Sequence, residues 1–150
     1  MMNKKETLLE DMQRSIDDLL SVTENLSTDA FESRIITGTW TSREILCHVA
    51  AWDCVFCEMS KALLDGAPVS LLPEFDAFNA QEVKKRESLT RDEILREVKK
   101  NRALYIRFIG EVPPDQLQDA RGQDFTIEGL ARDIISHDVY HLHQIRDKLH

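Results

Sequence analysis

Apolar residues recur at steps of three and four along four stretches of the chain, and this spacing predicts four amphipathic helices. The first predicted helix runs from Lys5 to Leu26. The second begins at Thr41, because Thr41 and Glu44 have the spacing of a capping box, and it ends near Gly66. Each helix has one apolar stripe, so we expect the helices to pack against one another.

The third predicted helix opens at Thr90, where Glu93 repeats the capping-box spacing, and it reaches Gly110 ahead of two prolines. The fourth starts at Thr126 and continues through the segment SHDVYHLHQI. That last segment mixes core-like apolar residues with histidines, so it is the first place to look for chemistry.

A long connection, residues 67–88, separates the second helix from the third. Its second half is too polar for a strand and has room for a short helix around Asn79 to Arg86. No window of the chain shows sustained alternation of apolar and polar residues, and no hairpin signal lies between apolar runs. The predicted fold class is therefore all-α, a four-helix bundle, in which sites are built by side chains that point inward from facing helices.

Composition narrows the class of protein. With 150 residues and 42% hydrophobic content, the chain is expected to form one domain, residues 1–150. The net charge of -8 argues against a broad basic face, so we expect no nucleic-acid partner. The N-terminus is charged where a signal peptide is apolar, and no stretch approaches the ~20 apolar residues of a membrane span. We expect a cytosolic, cytoplasmic protein with no membrane partner.

The three cysteines all lie between Cys47 and Cys57, which does not suggest a disulfide framework. Cys54 and Cys57 have the CxxC spacing of redox sites, but they lie in the middle of a predicted helix rather than after a strand. We interpret them as reduced thiols that contribute to packing.

Histidines are concentrated on the fourth predicted helix. Each helical residue turns by about 100°, so His137 and His141 lie about 40° apart on one face, whereas His143 lies on the far side. The i, i+4 spacing lets one helix offer two imidazole nitrogens to a single metal ion. On the second helix, His48 shares a face with apolar residues that include Trp52, so it too should point into the bundle.

These inward histidines allow two interpretations. Burying an imidazole without a partner costs ~1 to 3 kcal/mol, and a bound metal would remove most of that cost. Alternatively, carboxylates satisfy the rings, since Asp133 lies one turn before His137 and Glu44 one turn before His48. The same carboxylates could orient metal-bound histidines or complete a site of two histidines and one carboxylate. Spacing alone leaves both interpretations open.

The remaining histidines and the first tryptophan have simpler interpretations. His143 points away from the apolar stripe and His150 is the terminal residue, so both are expected to be solvated. Trp40 directly precedes the Thr41 cap and is interpreted as a staple or lid over the end of the bundle.

Three segments carry a family resemblance: TWTSREILCHVAAWD on the second helix, FNAQEVKKRESLTRDEILREV leading into the third, and FTIEGLARDIISHDVYHLHQI on the fourth. With them the chain resembles, over essentially its whole length, the DinB-like (YfiT-like) metal-binding four-helix bundles. The resemblance implies that the family's three-histidine site falls on His48, His137 and His141. It also implies an up-down-down-up bundle, with a long crossover between helices 2 and 3, and a homodimer.

The resemblance further implies a divalent metal ion, and three imidazoles do not distinguish Zn, Ni and Fe. Enzymes similar to this family transfer or isomerise substrates with a low-molecular-weight thiol. The leading hypothesis is therefore a metal-dependent enzyme of thiol S-transferase, isomerase or hydrolase type that acts on a small-molecule substrate. Gln144, on the stripe of the paired histidines, is a candidate for substrate contact, as is Trp52. No separate catalytic base stands out.

The alternative from another class is a non-catalytic metal-binding bundle that acts in a stress response through a protein partner. A pocket lined by Trp52, Met59, Phe75 and Phe78 would favour the enzyme, and a closed core would favour the alternative. The remaining possibility is a metal-free bundle whose histidines only fill the core.

Overall fold

Four long helices and two short ones form most of the described chain, which in this computed structural model comprises residues 2–68, 74–120 and 124–149. The long helices are α1 (Lys4–Glu24), α3 (Ser42–Asp65), α5 (Arg91–Glu111) and α6 (Ile127–Leu149), and the short ones are α2 (Thr28–Glu32) and α4 (Phe75–Lys85). A 3₁₀ turn at Pro114–Gln116 follows α5. The prediction of a mostly helical, all-α protein is confirmed.

Local sequence signals set the helix ends. At the start of α3, the Thr41 hydroxyl accepts from the Glu44 backbone N–H and the Glu44 carboxylate accepts from the Thr41 N–H, so the predicted capping box is formed. The same reciprocal pair joins Thr90 and Glu93 at the start of α5. Helix α3 ends at Gly66, whose φ of 70° lies in the left-handed region that favours glycine.

Helix α4 begins one turn earlier than predicted. The Glu74 carboxylate accepts hydrogen bonds from the backbone N–H groups of Asp76 and Ala77, which starts the helix at Phe75. The early start places Phe75 and Asn79 on one side of α4, four residues apart, and this side contacts α3.

A small antiparallel hairpin, β1 (Ile35–Thr37) and β2 (Trp40–Thr41), corrects the expectation of a chain without strand pairing. Its strands are too short to show alternation of apolar and polar residues. The reversal depends on Gly38, which has a φ of 56°. The hairpin brings the half-buried Trp40 to within 5.0 Å of the His48 ring, measured between ring centroids. The predicted lid thus covers a histidine at the start of α3.

The long helices pack so that each contacts two others. Helix α1 lies against α5 and α6, and α3 lies against the same two helices. Buried apolar residues fill the space between them in two clusters, one that includes Ile45 and Ala50 in the first half of α3 and one that includes Cys57, Met59 and Leu63 in its second half. No helix among the described residues is long and apolar enough to cross a membrane.

A buried ionic network joins all four long helices. The Arg102 guanidinium on α5 donates to both carboxylate oxygens of Asp53 on α3, at 2.9 Å each, and to Asp138 on α6 at 2.7 Å. It also donates to the Met12 carbonyl of α1 at 2.8 Å, while the Ser15 hydroxyl donates to Asp138 at 2.6 Å. Burial raises the pKa of Asp53 to about 6 and the Arg102 charge opposes this shift, so Asp53 is ionised at neutral pH.

Candidate metal centre

Three histidine side chains meet where α3 packs against α6. The Nε2 atoms of His48 and His137 are 2.8 Å apart, and those of His137 and His141 are 3.0 Å apart. His48 and His141 are buried, whereas His137 is half-buried. One nitrogen from each of the three rings lies within 4.8 Å of the other two, which is close enough for the three to hold one ion.

Helical spacing explains the cluster. His137 and His141 are four residues apart on the buried stripe of α6, and His48 lies on the buried side of α3 that faces them. The inward orientation predicted for these three residues is the one that the structure has. His143 is exposed on α6, as expected, and His150 lies outside the described residues.

The amide of Asn79 fixes the tautomer of His48. Its Oδ1 atom lies 2.9 Å from His48 Nδ1 and 2.8 Å from Trp52 Nε1. Because an indole N–H can only donate, the atom facing both rings must be the amide oxygen. His48 Nδ1 therefore carries its proton toward Asn79, and the lone pair of Nε2 points at the other histidines.

Gln144 has the corresponding position beside His141. Its Oε1 atom lies 2.8 Å from His141 Nδ1, which leaves the Nε2 lone pair of His141 directed at His137. His137 lies between the two rings and can supply one hydrogen at its own Nε2. At least one of the two close nitrogen–nitrogen contacts therefore lacks a proton. A divalent cation shared by the three Nε2 atoms fits this donor set, whereas a hydrogen-bonded chain leaves it incomplete.

All three imidazoles are in the neutral form that binds metals. Burial lowers the pKa of His48 to about 4. Burial, together with the neighbouring His141 and His48 rings, lowers the pKa of His137 to about 3. The pKa of His141 is also lowered by burial, against the hydrogen bond that its Nδ1 donates to Gln144 and the negative charge of Asp138. Protons therefore do not compete for these nitrogens at neutral pH.

The two carboxylates proposed as histidine acceptors lie elsewhere. Glu44 accepts from the backbone N–H of Thr41 at 3.1 Å, so Asn79 occupies the position beside His48 that was expected for Glu44. The capping bond is local and satisfies an N–H that the helix leaves unpaired, which explains the preference. Asp133 is exposed and lines a cavity beside His137. In the described ranges it forms no hydrogen bond with that ring.

The cysteines lie apart from the histidines. Cys57 is buried and Cys54 is exposed on α3, and within the described part of the chain neither joins the histidine cluster. Burial raises the pKa of Cys57 to about 11, so this thiol is protonated at neutral pH. The interpretation as a packing thiol fits the buried Cys57, whereas the exposed Cys54 does not pack into the core.

Two cavities open beside the histidines. We call the first the aromatic chamber, a cavity of about 340 Å³ that His48 and His137 share with Trp52, Phe56, Phe75 and Ile134. We call the second the polar cleft, a more open cavity of about 540 Å³ that adjoins the same two histidines and is also bordered by His141 and Gln144.

The pocket predicted from the sequence exists in part. Trp52 and Phe75 line the aromatic chamber, and Phe78 packs against Trp52 with ring centroids 4.9 Å apart. Met59 instead packs into the apolar cluster around the second half of α3, two turns of helix further along than Trp52. Sequence reasoning did not identify Asn79 as part of the site. Its signal was a polar residue four positions after Phe75 on an otherwise apolar helix side.

Comparison with known proteins now identifies the family. The profile of the DinB superfamily matches residues 11–145. The chain belongs to the DinB superfamily. No curated protein sequence matches it. The family predicted from the three sequence segments is confirmed.

Solved structures of distant DinB-like sequences share the fold. The colibactin self-resistance protein ClbS, solved in complex with double-stranded DNA, superposes with a TM-score of 0.81 at 13% identity, covering 96% of this chain and 94% of ClbS. An uncharacterised protein from Escherichia coli UTI89 has a TM-score of 0.81 at 12% identity, with 96% and 91% covered. A Streptococcus pneumoniae protein has a TM-score of 0.75 at 12% identity, with 98% and 91% covered. Such low identities establish the fold alone.

The ClbS complex corrects one prediction. We excluded nucleic acid as a partner because the net charge of this chain is -8. That exclusion was wrong, because a protein of the same fold is bound to double-stranded DNA. Net charge describes the whole surface and does not report local clusters of cations, which are what contact phosphates.

Proposed function

We propose that this protein is a metal-dependent enzyme whose ion is held by His48, His137 and His141. One observation carries the proposal: three Nε2 atoms converge beside a cavity, while amide oxygens hold the outer nitrogens of two of the rings. Three histidine ligands leave at least one position open for water or substrate, which is typical of catalytic rather than structural sites.

The protein's own residues prepare this centre. Asn79 and Gln144 hold His48 and His141 with their lone pairs directed inward, so little reorganisation accompanies ligation. Burial keeps the rings neutral, and the buried Trp52 ring lies beside His48, with ring centroids 6.1 Å apart. A divalent ion bound there would supply a Lewis acid able to acidify a water molecule or a thiol.

The chemistry that best fits these features is transfer or isomerisation with a low-molecular-weight thiol, or hydrolysis, acting on a small molecule. Zn, Ni and Fe all suit imidazole ligands, so the ion is proposed only as a divalent metal. The aromatic chamber favours the enzyme over a non-catalytic metal-binding bundle, since a bundle that acts through a protein partner has no use for a cavity beside its metal.

The test is elemental analysis of untagged protein purified without added metal, with His48→Ala and His141→Ala as variants. Near-stoichiometric metal should be found in the wild type and lost in both variants. His143→Ala is the matched control, because this exposed histidine lies on the same helix and should leave the metal content unchanged. Absence of metal from the wild type after incubation with Zn²⁺ or Ni²⁺ would overturn the proposal. A positive result justifies a screen for metal-dependent thiol transfer and hydrolysis.

A second candidate function is binding of double-stranded DNA, and the complex of ClbS is the observation that favours it. We propose that the exposed cations Lys84 and Lys85 at the end of α4 contact the phosphates. The same helix borders the histidine site, so bound DNA would lie near that site. Fluorescence anisotropy with a labelled duplex at low salt should show binding that a double change, Lys84→Glu with Lys85→Glu, weakens. Lack of binding at low salt would remove this candidate.

The finer points of architecture are also proposals. We infer an up-down-down-up order of the long helices, supported by the extended connection through α4 between α3 and α5. The homodimer and the cytoplasmic location rest on the family resemblance and on the composition. Sedimentation at micromolar concentration should give a dimer, and a monomer alone would contradict that part.

A further inference from the structure

The two cavities beside the histidines differ sharply in chemistry. In the aromatic chamber, His48 and His137 direct their Nε2 atoms to the histidine cluster, and Asn79 Oδ1 already accepts from two donors. The rest of the lining is apolar except for Asp133, whose side chain is the only formally charged group among the described residues that border it. A ligand in this chamber would gain mainly by burying apolar surface.

Aromatic rings give the chamber its shape. The centroid of Trp52 lies 5.4 Å from that of Phe75 and 6.0 Å from that of Phe56, and both pairs are steeply inclined. The hydrogen bond to Asn79 fixes the Trp52 indole, so this wall is rigid. Phe75 contacts Trp52 and still keeps 56% of its surface exposed, so part of this large apolar ring has no packing partner among the described residues. A flat ring laid against the exposed surface of Phe75, beside Trp52, would complete that packing.

The polar cleft offers different groups. Hydroxyls of Thr37 and Thr39, the carboxylate of Asp76 and the phenol of Tyr140 border it, together with Gln144. It is wider than the chamber and more open to solvent. Its groups suit a hydrophilic molecule that hydrogen-bonds at several points, and they offer little to an apolar ring.

We propose that the aromatic chamber binds an uncharged, flat aromatic group of the substrate, while a hydrophilic co-substrate reaches the histidine centre from the polar cleft. The proposal rests on the proposed function, because it places the two reactants on opposite sides of that centre. Asp133 at the chamber wall adds selectivity, since its carboxylate repels anionic ligands. The proposed substrate class is a neutral aromatic compound, and an aromatic anion is disfavoured.

The chain carries a built-in reporter for each cavity. Trp52 lines the chamber and Trp40 lines the cleft, and the sequence has two tryptophans in all. In a ¹H–¹⁵N NMR titration with naphthalen-2-ylmethanol, the Trp52 indole resonance should shift and that of Trp40 should stay in place. A Trp40→Phe variant assigns the two resonances. Equal shifts of both indoles, or a shift of Trp40 alone, would overturn the proposal.

Variants of the chamber wall make the test specific. Phe75→Ala should weaken binding of the probe by about tenfold, because the exposed ring that the probe packs against is lost. Leu104→Ala is the matched control, since Leu104 is 52% exposed on α5 and does not line the chamber. An unchanged dissociation constant in Phe75→Ala, or an equal loss in Leu104→Ala, would contradict the proposed site.

The titration is run on metal-loaded protein and on protein treated with a chelator. The neutral probe is expected to contact the aromatic side chains of the chamber rather than the ion, so it should bind both forms with similar affinity. Binding without any metal uptake would support the chamber and reject the metal proposal. Metal uptake without probe binding would do the reverse. Naphthalene-2-sulfonate should bind the metal-free form more weakly than the neutral probe, and Asp133→Asn should narrow that difference.

Discussion

Two polar clusters are buried side by side in this bundle, and their hydrogen-bonding groups are used to different extents. Around Arg102, the charged groups of Asp53 and Asp138 face guanidinium donors, and a carbonyl and a hydroxyl complete the shell. Among the histidines, two amides satisfy the outer nitrogens, but the inner Nε2 atoms face one another.

We infer that the difference separates a structural cluster from the proposed metal site. A buried ionic network with all its partners in place holds helices together and has no capacity to bind anything further. Three imidazole Nε2 atoms that face one another cannot all be paired by hydrogen bonds, which is costly until an ion fills the space between them. The two clusters also differ in access, since the Arg102 side chain is 1% exposed whereas the histidines border two cavities.

Breaking the saturated cluster should have the largest effect. Arg102→Met leaves the carboxylates of Asp53 and Asp138 buried without their cation, so the free energy of unfolding should fall by about 3–5 kcal/mol. Urea denaturation measures the loss. Lys99→Met, on the same helix as Arg102, removes an exposed pair with Glu24 of α1 and should cost less than about 1 kcal/mol. If the free energy of unfolding fell by the same small amount in both variants, the ionic network would not be structural.

The histidine cluster should respond in the opposite way. His141→Leu removes a buried imidazole, so the metal-free variant should be as stable as the metal-free wild type, or more so. Zn²⁺ at a hundred times its dissociation constant should stabilise the wild type by about 2.7 kcal/mol and leave the variant unchanged. Thermal unfolding with and without the ion provides both comparisons. A strongly destabilised metal-free variant would mean that the histidines are structural.

A milder change sharpens the role of the amides. Asn79→Ala removes the acceptor that holds His48 Nδ1, so metal affinity should fall by about 10- to 100-fold while the three ligands remain. Competition with a chromophoric chelator measures it. Gln81→Ala, at an exposed position on the same helix, serves as the control and should keep full affinity. Equal affinities would show that Asn79 does not orient the ring.

Mild acidification of the metal-free protein should lower its stability through the buried histidines. The folded-state pKa values of His48 and His137, about 4 and about 3, lie below the ordinary value of 6.5, so the unfolded chain binds more protons as the pH falls. The two neutral rings contribute fully to the free energy of unfolding only well above pH 6.5. From pH 7 to pH 6 the free energy of unfolding should fall by about 1 kcal/mol. Below about pH 6 the raised pKa of Asp53 has the opposite effect on stability, because the folded chain then binds more protons at this carboxyl than the unfolded chain does.

Urea denaturation of metal-free protein at pH 7 and pH 6 measures this slope. His137→Leu should show a smaller loss than the wild type over the same interval, because one of the titrating rings has been removed. A slope that the substitution does not change would mean that the histidines are not protonated on unfolding in this range.

The smallest effect is expected at the cysteines, which belong to neither cluster. Cys54→Ser changes an exposed thiol, so metal content and unfolding free energy should stay within error of the wild type. Elemental analysis and urea denaturation check both values. Loss of metal in this variant would place a cysteine among the ligands.

The helices and the inward histidines could be predicted because their signals are local. Periodicity identified the buried stripes, and capping boxes at Thr41 and Thr90 marked two helix starts. The ionic network was missed although Asp53, Arg102 and Asp138 lie on the buried stripes of their helices. A charged residue on such a stripe is a signal that it has a partner, but the partner's identity depends on which helices pack together.

Other features depend on contacts between distant parts of the chain. Asn79 reaches His48 only because the connection after α3 folds back as α4, and this path is not encoded in spacing. Glu44 was assigned to His48 because it lies one turn away, yet the nearer backbone N–H of Thr41 takes its carboxylate. The hairpin at Gly38 has strands too short for any periodic signal.

The most direct test of the difference between the two clusters is X-ray absorption spectroscopy at the zinc edge of Zn²⁺-loaded protein. We predict a first shell of nitrogen and oxygen at about 2.0–2.1 Å, with the outer-shell scattering of three imidazoles and no sulfur. Sulfur scattering at about 2.3 Å, or a first shell without imidazoles, would contradict it, because the ion would then be bound away from His48, His137 and His141.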